Sequence, residues 1–280
     1  MKVRISADST CDLSRELIEQ YEIGIVPLYV IIDGKALRDG IDIAPEDVFA
    51  HVEGGGKNAT TAAVNVEDYR SFFEEQLKDC EGIVHFTISS EMSCCYQNAC
   101  LAAQELENVF VVDSRNLSTG IGQLVLDSAE MARKGMDAKA IFHEIDAKKE
   151  KLDVSFVINT LEYLRMGGRC STLAALGANL LSLKPCIEVK DGKMGVGKKY
   201  RGHLDRCLVK YVKERLADVS TIDDSRIFIT DSGISEEIYE MVRAEVEQAV
   251  PFKEIYHTRA GCTISNHCGP NCLGILFYRK

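Results

Sequence analysis

Short apolar runs alternate along this chain with stretches of helical period, the pattern of parallel strands joined by crossover helices. Val3 to Ala7 reads as a strand, and Leu13, Leu17, Ile18 and Tyr21 form the apolar stripe of the helix that follows. Ile25 to Ile32 reads as a second strand, turned back at Asp33-Gly34 into a short hairpin. Pro45 suits the first turn of a helix, with Glu46 and Asp47 at its positive end. Asn65, with Asp68 three residues on, caps a helix that buries Tyr69, Phe72, Phe73 and Leu77. The β-branched runs Ile83 to Ile88 and Val109 to Val112 predict buried central strands. A helix follows each, the first lined by Tyr96, Ala99, Cys100, Ala103 and Leu106, the second by Ile121, Leu124, Val125, Ala129 and Ala132.

Asp146-Ala147-Lys148-Lys149-Glu150-Lys151 is charged and carries no apolar stripe, which predicts a boundary between an N-terminal α/β domain, 1–152, and a C-terminal one, 153–280. Ser155 to Ile158 reads as the first strand of the second domain, followed by Leu161, Leu164 and a break at Gly167-Gly168. Residues 173–183 are apolar on almost every side, which predicts a helix packed on several faces and ended by Pro185. Cys186 to Lys190 and Lys193 to Val196 read as a hairpin turned at Asp191-Gly192. Amphipathic helices near 203–216 and 235–249 flank a strand at Ile227 to Thr230, and the chain closes on apolar segments at Cys262 to Ile264 and Leu273 to Tyr278. The fold class expected is α/β: an open, mostly parallel N-terminal sheet with flanking helices, a mixed C-terminal sheet with helices, and a ligand between them.

A net charge of −10, with the acidic residues spread along 280 residues, disfavours an extended phosphate-binding surface and therefore a nucleic-acid partner. No apolar run reaches the roughly 18 residues of a membrane span. Eleven cysteines, an odd number without repeated zinc-type spacing, predict free thiols in a reducing cytoplasm. Cys94, Cys95, Cys268 and Cys272 stand as the alternative, a metal or redox site.

Ligands of open α/β sheets bind beyond the carboxyl ends of the strands. Here those positions hold Asp8-Ser9-Thr10, Ser89-Ser90 with Ser93, Asp113-Ser114 and Thr230-Asp231-Ser232. Such residues also cap helices, but their recurrence at four strand ends predicts a hydroxyl-lined crevice. Gly120-Ile121-Gly122 and Gly54 to Lys57 lack the spacings of nucleotide loops, and hydrolase signatures are missing. An enzyme of small carboxylates or phosphates using Asp8, Asp113 or His267 remains a rival reading. His267 lies in Ser265-Asn266-His267-Cys268-Gly269-Pro270-Asn271, read as a polar turn between two apolar strands. Its imidazole, with Ser93 and a threonine hydroxyl, suits a carboxylate held without a covalent step.

Asp8-Ser9-Thr10-Cys11-Asp12-Leu13, Thr87-Ile88-Ser89-Ser90-Glu91-Met92-Ser93, Tyr96-Gln97-Asn98-Ala99, Val112-Asp113-Ser114, Leu161-Glu162-Tyr163-Leu164 with Gly167-Gly168-Arg169, and His267-x-Gly269-Pro270 together resemble the successive motifs of the DegV family. The resemblance implies a two-domain fatty-acid carrier with no catalytic residues, metal or cofactor of its own. It also implies that the carrier presents the ligand carboxylate to a fatty-acid kinase for acyl-phosphate formation, with transient membrane contact for lipid loading. On the family's carboxylate contacts fall Thr61, Ala62, Ser93 and His267, with Cys94, Cys95 and Asn266 beside them. Ala62 stands where the family has a hydroxyl, Cys94-Cys95 where it has Gly-Thr, and Asn271 where it has a glycine. By the same resemblance Arg169 and Arg201 belong to the surface that docks the kinase.

Energetics favour a lipid over a small polar acid. Burying about fifteen methylenes at about 0.8 kcal/mol each contributes roughly 12 kcal/mol before ordering and association costs. The head group then needs only a few hydrogen bonds to orient it. The apolar segment 173–183 is the candidate tunnel wall.

Overall fold

The computed structural model describes residues 2–56, 59–168 and 183–280. In chain order its first half runs β1 (Val3–Asp8), α1 (Arg15–Tyr21), β2 (Gly24–Val26), β3 (Tyr29–Ile32), β4 (Lys35–Arg38), α2 (Pro45–Glu53), β5 (Thr60–Ala62), α3 (Val66–Gln76), β6 (Gly82–Thr87), α4 (Cys95–Ala103), β7 (Val109–Asp113), α5 (Thr119–Arg133) and α6 (Ala138–Lys148). The second half continues with β8 (Leu152–Val157), α7 (Glu162–Met166), β9 (Leu183–Lys190), β10 (Lys193–Arg201), α8 (Leu204–Arg215), β11 (Ile222–Asp231), α9 (Glu236–Ala249), β12 (Glu254–Arg259), α10 (Cys262–Cys268) and β13 (Leu273–Arg279).

The apolar runs of the first half pair as a parallel sheet of order β2-β1-β6-β7, in which every residue of β6 is buried. The second half builds a mixed sheet of order β10-β9-β8-β13-β11-β12, antiparallel except for β11 with β12. The expected α/β architecture, a mostly parallel sheet followed by a mixed one, is what these pairings form. Joining the two is α5, buried without interruption from Thr119 to Ala129. Such a helix must be covered on all sides, and α5 packs on β1 and β13 at once. Its Gln123 donates to the carbonyls of Arg226 and Leu276, at 3.3 and 3.1 Å.

Several expectations change. The strand read over Ile25 to Ile32 is two strands in different sheets. Pro27, which cannot donate to a ladder, separates β2 from β3, and β3 joins a small antiparallel flap of order β4-β3-β5. The charged stretch 146–151, which holds no buried residue, is the end of α6 and the turn after it; α6 is capped by Asp137, whose Oδ1 accepts from Ala140 N at 2.9 Å, and it buries Ala138, Ile141 and Ile145 ahead of that stretch. Of the apolar segment 173–183, only Leu183 is described, and it begins a strand. The rest, with Arg169, lies outside the described residues. Pro185 sits inside β9, opposite Lys199 and beside a shift of register between Val196 and Lys199, a place where a missing N–H is tolerated.

The segment read as a polar turn around His267 is the helix α10. Its sequence is weakly helical, and its start is capped from far away in the chain. Asp39 accepts from the amides of Cys262 and Thr263 at 2.8 and 2.9 Å, and Asp12 accepts from the amide of Gly261 at 2.9 Å. Two carboxylates thus satisfy amides that no residue of the helix could reach.

Candidate functional site

Helix α10 lies against the flap and is stitched to it at three levels. Asp39 holds its first turn, Asn266 Nδ2 donates to the carbonyl of Ala59 at 3.1 Å, and Thr61 Oγ1 lies 2.9 Å from His267 Nε2. Cys262 completes the flap's own small core with Val30, Ile43, Val48 and Ala59. Gly167, after α7, backs the imidazole so closely that a Cβ there would overlap Nδ1.

Between the flap, the loop after β6 and α10 runs a cleft with about 520 Å³ of empty space, part of it open to solvent. Its apolar wall includes Leu28, Ala63, Ile88, Met92, Leu117, Met194 and Ile264, and its polar groups include those of Thr61, Ser93, Thr263 and His267. This composition, apolar with a few convergent polar atoms, is that of a small-molecule site. Leu117, Ile264 and Cys268 also line a second, smaller cavity with about 330 Å³ of empty space, part of it open to solvent, which extends toward Phe156, Ser232 and Leu276 at the mixed sheet. Leu117, Ile264 and Cys268 are thus a wall common to both cavities, one bordered by the flap and the other by the mixed sheet.

Of the residues singled out from the sequence, Thr61, Ala62, Ser93 and His267 come together on this cleft. Ser93 Oγ stands at the start of α4, 3.3 Å from the amide of Cys95 and 3.2 Å from its thiol. Cys95 itself is buried, its thiol pushed up to about 11 by desolvation, and Cys94 is exposed. Neither is among the residues that line the cleft, nor is Asn266, whose amide is spent on Ala59. Arg201 is exposed at the end of β10. Apolar wall residues such as Met92, Leu117 and Met194 carry no chemical signature in sequence, and the cap Asp39 is recognisable only once its helix is in place.

The aspartates of the rival reading are tethers. Asp8 accepts from Ile88 N at 2.9 Å and from Thr10 N at 3.1 Å, while burial pushes its carboxyl up to about 6. Asp113 accepts from the amides of Ser90 and Arg115 at 3.1 and 3.0 Å and from the Ser90 hydroxyl at 2.6 Å. The ten described cysteines are free thiols. Cys272 donates a hydrogen bond to Cys268, and this, together with burial, raises the Cys272 thiol far above its ordinary value and keeps it unreactive. Among the described residues no group of three His, Cys, Asp or Glu side chains is placed to hold a metal ion. No helix among them is long and apolar enough to cross a membrane.

A family model described as "Uncharacterised protein, DegV family" matches residues 2–280. A DegV domain-containing protein of Caldanaerobacter subterraneus subsp. tengcongensis is 31% identical over 283 residues, covering all of this chain and 99% of its own. The chain belongs to the DegV family. Among solved structures, a DegV family protein of Thermus thermophilus, described by its fatty acid binding, superposes with a TM-score of 0.92 at 29% identity over the whole of both chains. A stearic acid-binding protein of Eubacterium ventriosum superposes with a TM-score of 0.86 at 26% identity, over 99% of this DegV chain and 98% of its own. The two-domain α/β fold is shared with both.

Proposed function

We propose that this chain binds a long-chain fatty acid, its carboxylate at Thr61, Ser93 and His267 and its tail along an apolar path between the two halves, and that it does so as a carrier without turnover. The observation that carries this reading is the hydroxyl–imidazole pair of Thr61 and His267, 2.9 Å apart in the wall of an otherwise apolar cleft. Two hydroxyls and an imidazole offer charge-assisted hydrogen bonds to a carboxylate, and the largely apolar linings of the two neighbouring cavities offer the tail a surface to bury. The fatty acid and stearic acid bound by the Thermus and Eubacterium relatives support the same ligand class.

In the same reading the carrier works in the cytoplasm, consistent with its free thiols. It takes its ligand up in transient membrane contact and presents the carboxylate to a fatty-acid kinase that docks near Arg201 and Arg169. The domain boundary proposed is at 152/153. Mass spectrometry of an organic extract of the purified protein tests the ligand: a stoichiometric C14 to C18 acid is expected. Recovery of none, with no rise in melting temperature on adding palmitic acid, overturns the reading. Pull-down of a kinase by wild type and not by Arg201→Glu tests the partner.

A further inference from the structure

Thr263 sits one helical turn before His267 on α10, so the two side chains share a face and both line the cleft. The residue is only 3% exposed. Its amide is taken by Asp39 at 2.9 Å, yet its hydroxyl has no hydrogen-bond partner among the described residues. A buried hydroxyl left unsatisfied is costly and uncommon. The residue lines the cleft, in which the Ala62 side chain contributes no hydrogen-bonding atom.

We propose that Thr263 is a ligand-binding residue, its hydroxyl donating to the second oxygen of the carboxylate whose first oxygen is held by the Thr61 and His267 pair. The inference rests on the proposed fatty-acid reading. Side chains one turn apart on a helix stand about 5–6 Å apart at their Cβ atoms, a span that the two oxygens of one carboxylate bridge when each side chain leans inward. Asp39 fixes the helix start and so sets both side chains together. Ala62 and Thr263 face one cleft, so the hydroxyl missing from the flap is supplied by the helix opposite. The site recognises a carboxylate with an apolar tail, and Thr263 adds affinity for the acid without adding to the tail's burial.

The test is palmitic acid affinity by isothermal titration for wild type, Thr263→Val and Thr263→Ser, with melting of each ligand-free protein. Valine keeps the shape and removes the hydroxyl; serine keeps the hydroxyl. About a tenfold loss is expected for Thr263→Val, the scale of one hydrogen bond to a charged group, with Thr263→Ser within about threefold of wild type. The ligand-free Thr263→Val protein should melt no lower than wild type, because the hydroxyl it lacks was unpaired. Palmitic acid bound equally by wild type and Thr263→Val overturns the inference and leaves the fatty-acid reading standing. Equal binding with a selective loss of hydroxylated acids also overturns it, placing the hydroxyl on the tail. A wild type that binds no palmitic acid overturns the underlying reading instead.

Discussion

Thr61 Oγ1 and His267 Nε2 lie 2.9 Å apart although 206 residues separate them in the chain. The threonine comes from a three-stranded flap of the first half, the histidine from a helix just before the last strand. Their bond closes the flap on the helix and puts one hydroxyl and one imidazole into the same apolar cleft. A carboxylate entering the cleft meets donors already oriented by each other, so little ordering remains at the moment of binding.

Removing either partner, or the third polar group of the proposed head site, should weaken the acid specifically. Thr61→Val, Ser93→Ala and His267→Ala are each expected to lower palmitic acid affinity about tenfold, one hydrogen bond's worth, while far-ultraviolet dichroism stays unchanged. Wild-type affinity in all three would move the head group elsewhere.

Asp39 governs the site from a distance. Asp39→Asn keeps one acceptor oxygen and turns an NH2 toward the other amide of α10, where the carboxylate had served both Cys262 and Thr263. A cost of about 1–2 kcal/mol in stability is expected from the damaged cap, together with weaker palmitic acid binding. Denaturant titration and calorimetry read the two effects, and a loss of stability with affinity intact would mean that α10 holds its place without the cap.

Gly167 gives the imidazole its room. Its backbone is right-handed helical, so alanine is tolerated locally, but the new Cβ would overlap His267 Nδ1. Gly167→Ala should therefore displace the ring and reduce binding severalfold with little change in melting temperature. Histidine side-chain NMR of the variant, with the His267 resonances unmoved, would count against this contact.

Arg226 is buried between Asp127, Glu130 and Glu254, at 3.0, 2.8 and 2.7 Å. It ties α5 to the mixed sheet, and these partners, against the cost of burial, hold its guanidinium above the ordinary range. Arg226→Ala leaves Asp127 a buried charge short of one partner, and a loss of about 3–5 kcal/mol is expected. Urea unfolding measures it, and a change below about 1 kcal/mol would show the network to be dispensable.

His85 is buried among Tyr69, Phe72 and Phe73, 2.9 Å from Ser6 Oγ, and desolvation lowers its pKa from 6.5 to about 3. Below pH 6.5 the unfolded chain gains a proton there that the folded chain refuses. Stability therefore falls toward pH 3 by up to about 1.4 kcal/mol per unit. Asp8 acts in the opposite sense: burial raises it from 3.8 to about 6, so between those values the folded state holds the extra proton and gains stability as pH falls. In wild type the two slopes offset each other between about pH 6 and 4. His85→Gln removes one of them, and its stability relative to wild type should rise by about 3 kcal/mol from pH 7 to pH 4. A difference independent of pH would contradict this.

The sequence by itself determined the alternation of strands and helices, the two sheets with their parallel and mixed character, and the family, because period and β-branched runs are local signals and the motifs keep their order. It also marked Thr61, Ser93 and His267. What it misread were places where a distant residue decides. Pro27 splits an apolar run between two sheets because the flap offers β3 its partners. The polar stretch around His267 becomes a helix because Asp12 and Asp39, more than two hundred residues away, satisfy its first amides. Thr263 reads as an ordinary member of an apolar segment until the fold leaves its hydroxyl buried and unpaired in the wall of the cleft. Local periodicity is written in neighbouring residues, whereas a cap, a tether or an unsatisfied hydroxyl is defined by groups that only tertiary packing brings within 3 Å.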